Sequence, residues 1–224
     1  TDTHREEDSK DSKIGTTKRG NGPAYRDKYG RTGVRAESME CFKEYLVDVH
    51  EELHSKPDVR VLLEGAQGFG LDIDHGDYPY VTSSHCTSAA ALLAGIPPQA
   101  IDKVWGVAKI YETYVGAKKF EPDDETFKII RNIGKEYGAT TGRPRQCNWL
   151  NWDFLEKSIK VNGVTDLVFN KMDVLRQINK WTLIHKGKEI TFDTEGKMKK
   201  WIVQKANLLP YNPNVYFSGD PNGL

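Results

Sequence analysis

Apolar positions along the chain alternate between two periods, which sorts it into strands and helices. The run Val59–Leu63 (VRVLL), rich in leucine and β-branched residues, predicts a buried strand, and a glycine-rich stretch from Glu64 to Gly70 follows it. After a loop to about Ser84, a short helix is predicted through Ala89–Leu93, stopping at Gly95 before Pro97-Pro98. Val104–Ile110 predicts the next strand. Asp123 or Asp124 is placed to cap a helix with Phe127, Ile130 and Ile133 on its apolar face, and Gly138 to end it. Trp152, Leu155 and Ile159 mark another helix, ending at Asn162-Gly163, and Thr165–Phe169 a third strand. Then come a hairpin (WTLI and EITF around Lys186-Gly187), a last helix and a last strand. Strands alternating with helices imply an α/β fold with a mostly parallel sheet, and residues 181–224 form a peripheral extension. Residues 1–13 carry no apolar period and are expected to be irregular; no domain boundary is visible, and composition shifts only near Trp181.

With 32 Lys+Arg against 32 Asp+Glu, the formal charge is zero, which argues against bulk binding to nucleic acid or an anionic membrane. The basic stretch Lys13–Arg35 has only the pair Tyr25 and Tyr29 for stacking on bases, so an RNA-binding module is weakly supported. Three scattered cysteines, Cys41, Cys86 and Cys147, fit a reducing compartment, and a cytoplasmic location is expected. His50, His54 and His185 lack metal-ligand spacing, and Cys86 beside His85 supplies too few ligands for zinc.

Candidate chemistry gathers in four stretches. In Glu64–Thr82 (EGAQGFGLDIDHGDYPYVT), Gln67 lies between Gly65-Ala66 and Gly68, where a planar ligand can approach closely. Its amide can donate to and accept from a purine edge. Asp74-His75 suits an acid/base or metal pair; a capped, hydrogen-bonded loop is the alternative. Thr16, Thr17, Lys18 and Arg19 offer hydroxyls, amides and cations to a phosphate. Arg143 and Arg145, led by Thr140 and Thr141, offer two guanidinium forks to a dicarboxylate. Asn170-Lys171-Met172-Asp173, just after a strand, reads as guanine recognition: the carboxylate accepts from N1–H and the 2-amino group.

These stretches, in this order and spacing, resemble the adenylosuccinate synthetase family. Ile14–Tyr25 is similar to its IGTT-RGIGPAY, Glu64–Ser84 to its EGAQG-LLDIDHG-YP-VTSS, Thr140–Leu150 to its TTGR-R--WL, and Asn170–Leu175 to its TKLDVLD. The resemblance implies a P-loop-NTPase-like sheet and a C–N-bond-forming ligase. A nucleoside triphosphate would phosphorylate the purine 6-oxygen and the aspartate amine would displace it. It implies Gln67 as catalytic, and Thr17, Arg31, Gln67, Thr82, Val115 and Arg143 on the nucleotide substrate. It further implies Thr140, Thr141, Arg143 and Arg145 on aspartate, and Lys171, Asp173, Ser218 and Gly219 on the triphosphate. Mg2+ is implied as cofactor, and a homodimer in which Arg31 reaches the neighbouring subunit's site.

The family's GDEGKGK-like phosphate loop has no counterpart in these 224 residues. The chain therefore reads as the C-terminal two-thirds of such an enzyme, with the phosphate loop and metal ligand expected upstream of Thr1 and no activity expected without them. His85-Cys86-Thr87-Ser88 and the Phe217–Leu224 ending depart from the usual pattern. These departures resemble the phage-borne branch that joins aspartate to dGMP with ATP or dATP. The guanine-type Asn170–Asp173 motif points instead to the ordinary IMP and GTP reaction. A short archaeal form and a non-catalytic nucleotide-binding fragment are the remaining alternatives.

Overall fold

The computed structural model describes residues 14–16, 18–139 and 141–220. The chain divides into two compact units, Thr1–Asp102 and Lys103–Leu224, at a point where composition does not change.

Among its described residues the first unit contains helices and turns but no strand. Helix α1 (Asn21–Tyr29) is polar and buries no residue. Helix α2 (Val49–His54) begins at Asp48, whose carboxylate accepts from the amides of His50 (2.9 Å) and Glu51 (3.1 Å), the N-cap arrangement expected of aspartate. Helix α3 (Ala90–Leu93) stops at Gly95, which adopts φ +89°. The strand predicted at Val59–Leu63 does not form: the run is exposed, Leu62 at 89%. A strand needs a neighbour for its backbone donors and acceptors, and none of the described residues pairs with this run.

The second unit carries the sheets. Its elements in order are β1 (Trp105–Lys109), β2 (Tyr111–Tyr114), α4 (Glu125–Gly134), β3 (Gln146–Asn151), α5 (Trp152–Asn162), β4 (Asp166–Asn170), α6 (Met172–Ile178), β5 (Trp181–His185), β6 (Lys188–Phe192), α7 (Glu195–Ala206) and β7 (Asn214–Phe217). One sheet is wholly parallel, in the order β1-β4-β7. The other, β2-β3-β5-β6, is parallel only between β3 and β5. The α/β expectation is met, with the parallel part confined to three strands and one strand pair.

Local rules account for most boundaries. Asp124 caps α4 by accepting from the Thr126 amide at 2.8 Å, and Phe127 and Ile130 are buried, as the periodicity predicted. Its end differs: the helix stops at Gly134, where Lys135 takes a left-handed φ of 52°, four residues before Gly138. Gly138 is spent elsewhere, its amide donating to the Arg143 carbonyl at 2.9 Å. Helix α5 ends on Gly163 at φ 62°. Lys186 and Gly187, at φ 53° and 68°, make the two-residue turn that fixes the β5–β6 register. Ile110, Phe127, Trp149, Trp152, Phe169, Met172, Leu183, Met198 and Ile202 form the core between the sheets and their helices. No helix among the described residues is long and apolar enough to cross a membrane.

Candidate active site

Parallel strands bring their carboxyl ends to one edge, where α/β folds place ligands. Lys109 pairs with Asn170, and Phe169 with Phe217, so the three strands end together. Lys171 follows β4 with φ 66°, turning the chain into α6 and setting Asp173 in its first turn. The Lys171 ammonium donates to the Gly134 carbonyl at 3.1 Å. The Met172 amide donates to the Ser218 carbonyl (3.2 Å) and the Ser218 amide to that of Phe169 (2.8 Å), stitching the two loops together. Gly219 packs closely against Arg176: a Cβ there would lie 2.3 Å from Nη1, so the guanidinium would have to shift. Arg176 makes two 2.7 Å bonds to Glu195, and this pairing takes the Glu195 carboxyl down to about 2. Lys171, Asp173, Ser218 and Gly219 thus converge. At the same end the side-chain oxygen of Asn170 is buried with no hydrogen-bond partner among the described residues.

The arginine loop is a closed turn. Its neck is made by Gly138 N–H to Arg143 O (2.9 Å) and Arg145 N–H to Glu136 O (3.0 Å). Thr141 is exposed, with its hydroxyl 3.4 Å from the Arg143 amide; Arg143 is half-buried. The fully buried Glu136 accepts from Tyr111 (2.7 Å) on one carboxylate oxygen, and from Lys109 (2.7 Å) and Arg145 (2.8 Å) on the other. Burial alone would raise its pKa, but these three donors hold it below the usual carboxylate range. Burial lowers the pKa of Lys109, and the Glu136 contact opposes it. Val115, half-buried, directly follows β2.

The sequence reading missed Lys109, Tyr111 and Glu136. A lysine closing a largely apolar strand was a usable signal; Glu136 had none, since nothing local separates it from a surface carboxylate.

In the first unit, Gln67 is exposed and holds φ +62°, a left-handed conformation uncommon for a residue with a side chain. The loop after it is organised by Asp72, which is fully buried. One of its oxygens accepts from the amides of Asp74 (2.9 Å) and His75 (3.0 Å), the other from that of Cys86 (2.5 Å). Burial disfavours this charge, yet the three amides hold the pKa below the usual value. Gly76 closes the turn, since a Cβ would lie 2.6 Å from the Gly70 carbonyl oxygen. Thr82 is half-buried, and its amide donates to Leu71 O at 2.8 Å.

At the expected Asp74-His75 pair, the His75 ring stacks on Phe69, and the His85 imidazole lies 3.5 Å from Asp74. Arg31 is exposed at φ 60° and lines a groove of about 770 Å³ with Lys28 and Arg35. Thr17 and Thr140 lie outside the described residues.

Among the described residues, Asp72, Asp74 and His85 form the only trio of potential metal ligands. It does not fit Mg2+, which asks for several oxygen donors, because both Asp72 oxygens already serve three amides. Cys86 is no better, its thiol pushed up to about 11 chiefly by burial.

Comparison with known proteins gives this geometry a family. The adenylosuccinate synthetase family model matches residues 1–44 and 36–209. Adenylosuccinate synthetase of Nitratidesulfovibrio vulgaris (strain Hildenborough) is 37% identical over 82% of this chain and 55% of its own length. That of Xylella fastidiosa (strain 9a5c) is 41% identical over 80% of this chain and 53% of its own. The chain therefore spans about half the length of the curated relatives it matches. Among solved structures, the fully ligated adenylosuccinate synthetase of Plasmodium falciparum aligns with TM-score 0.83 at 27% identity, over 98% of this chain and 71% of that one. The succinoaminodeoxyadenylate synthetase of cyanophage S-2L, bound to dGMP and dATP, aligns with TM-score 0.67 at 20% identity, over 99% of this chain and 63% of that one, a likeness of fold. With most of its length covered by the family model and by relatives at 37% and 41% identity, the chain belongs to the adenylosuccinate synthetase family.

Proposed function

We propose that this chain is part of a purine nucleotide–aspartate ligase, most simply the reaction of IMP, aspartate and GTP to adenylosuccinate, GDP and phosphate. The observation that carries the reading is the convergence of Lys171, Asp173, Ser218 and Gly219 at the carboxyl end of the parallel sheet, beside the arginine loop. Asp173 supplies the acceptor that guanine N1–H and the 2-amino group need, and Lys171 a stem to cover the base. The expectation of a dGMP and ATP reaction gives way here. The curated relatives carry the ordinary name, and the phage likeness at 20% identity supports the fold alone.

In this reading Gln67 contacts the O6/N1 edge of the purine as charge develops on the 6-oxygen. Arg143 and Arg145 neutralise the aspartate carboxylates and orient the amine toward C6, with Thr140 and Thr141 donating beside them. Thr17, Arg31, Thr82 and Val115 hold the nucleotide, Arg31 from a second subunit. Mg2+, when bound, would offset charge on the transferring phosphoryl group.

Arg143→Leu in the full-length protein should raise KM for aspartate about tenfold or more while leaving the triphosphate KM unchanged. A charge-assisted hydrogen bond contributes about 1.5–3 kcal/mol, and 1.4 kcal/mol is a factor of ten. A triphosphate KM that rises while that for aspartate stays constant would mean the loop serves another ligand.

A further inference from the structure

We propose that Glu136 is the positioning residue of this site, fastening Arg145 and the loop 138–145 to the end of the parallel sheet, with Lys109 and Tyr111 as its anchors. The inference rests on the assignment of Arg145 to the aspartate carboxylates.

Three features carry it. Glu136 is 1% exposed, so its charge is tolerated only because donors surround it. Those donors come from different elements: Lys109 from β1 and Tyr111 from β2, both fixed in sheets, and Arg145 from the loop. Glu136 also grips Arg145 twice, by its carboxylate and by its backbone carbonyl at 3.0 Å. The Arg145 carbonyl in turn accepts from Nε of Arg131 at 2.6 Å, and Arg131 is itself paired with Glu121. An arginine side chain otherwise samples many rotamers, and binding would have to freeze them. Here the Glu136 contact restricts the Arg145 side chain before a ligand arrives.

The charge count favours an anion as well. Two cations, Lys109 and Arg145, share one oxygen of one carboxylate, which leaves the cluster one positive charge in excess. The Arg131–Glu121 pair next to it is balanced. An excess positive charge in a partly buried cluster suits a carboxylate ligand, and Glu136 holds the cations without cancelling both.

The test is Glu136→Gln in the full-length protein, which keeps the shape and removes the charge. Expected is a KM for aspartate raised at least tenfold, KM values for both nucleotides within threefold of wild type, and kcat at saturating aspartate within about fivefold. Tyr111→Phe, which removes one donor and keeps the packing, should shift KM for aspartate two- to fivefold in the same direction. If Glu136→Gln does not fold, Tyr111→Phe alone decides. Aspartate KM values at the wild-type level, or a loss confined to kcat and melting temperature, would overturn the proposal and leave Glu136 a structural residue. A wild-type protein that consumes triphosphate without aspartate dependence would overturn the ligase reading itself, and this inference with it.

Discussion

Replacing Gln67 with alanine should lower kcat of the full-length enzyme by about 10²–10³ and change KM for the purine nucleotide by much less. Removal of one preorganised donor aimed at developing charge has an effect of that size. The backbone sharpens the expectation. Gln67 occupies φ +62°, where glycine is at ease and a side chain is strained by about 1 kcal/mol. Gly65 and Gly68 flank it closely, and an added Cβ at either would meet nothing within 4 Å. A loop of this conformation is served at least as well by glycine at position 67, so the backbone gives no reason for a glutamine there. Gln67→Gly should therefore match or exceed wild type in thermal stability while losing the same turnover as Gln67→Ala. A glycine variant with wild-type kcat would remove Gln67 from the chemistry.

Asp173→Asn carries the second large effect. Guanine presents N1–H and the 2-amino group side by side, and one carboxylate accepts both. Asparagine keeps one acceptor and turns a donor toward a donor. Leaving such a group mispaired costs about 1–3 kcal/mol, so kcat/KM for GTP should fall roughly a hundredfold while ATP remains a poor donor throughout. Asp173 is half-buried in the first turn of α6, and its charge is felt by both Tyr111 and Arg176, which places it on the same side as the Glu136 cluster. A wild-type enzyme that prefers ATP, with only a few-fold response to Asp173→Asn, would restore the phage-type reaction.

What the sequence made legible followed from where the controlling interactions lie. The β5–β6 hairpin, the start of α4 at Asp124 and the end of α5 at Gly163 are set by neighbours within a few residues, and all were readable. The end of α4 was not, because Lys135 adopts the left-handed conformation that the glycine rule assigns to Gly138. Val59–Leu63 has strand composition, but composition cannot supply a pairing partner, and the run is exposed. The four candidate stretches stood out because each is contiguous and carries its own signature. Glu136 was not, since its meaning depends on Lys109 and Tyr111, which the fold brings to it from 27 and 25 residues away. Within the chemistry-rich string Glu64–Thr82 both oxygens of Asp72 are committed to the loop's own amides, as in the capped-loop alternative for the stretch.

The ligase reading makes one demand that no nucleotide-binding fragment meets: the purine 6-oxygen must leave on the phosphate. The measurement is a turnover of IMP labelled with 18O at position 6, with GTP and aspartate, in the full-length protein. One atom of 18O should appear in each inorganic phosphate released, with adenylosuccinate formed in equal amount and neither product formed when aspartate is omitted. Phosphate free of label, or GTP hydrolysis with the IMP recovered intact, would contradict it.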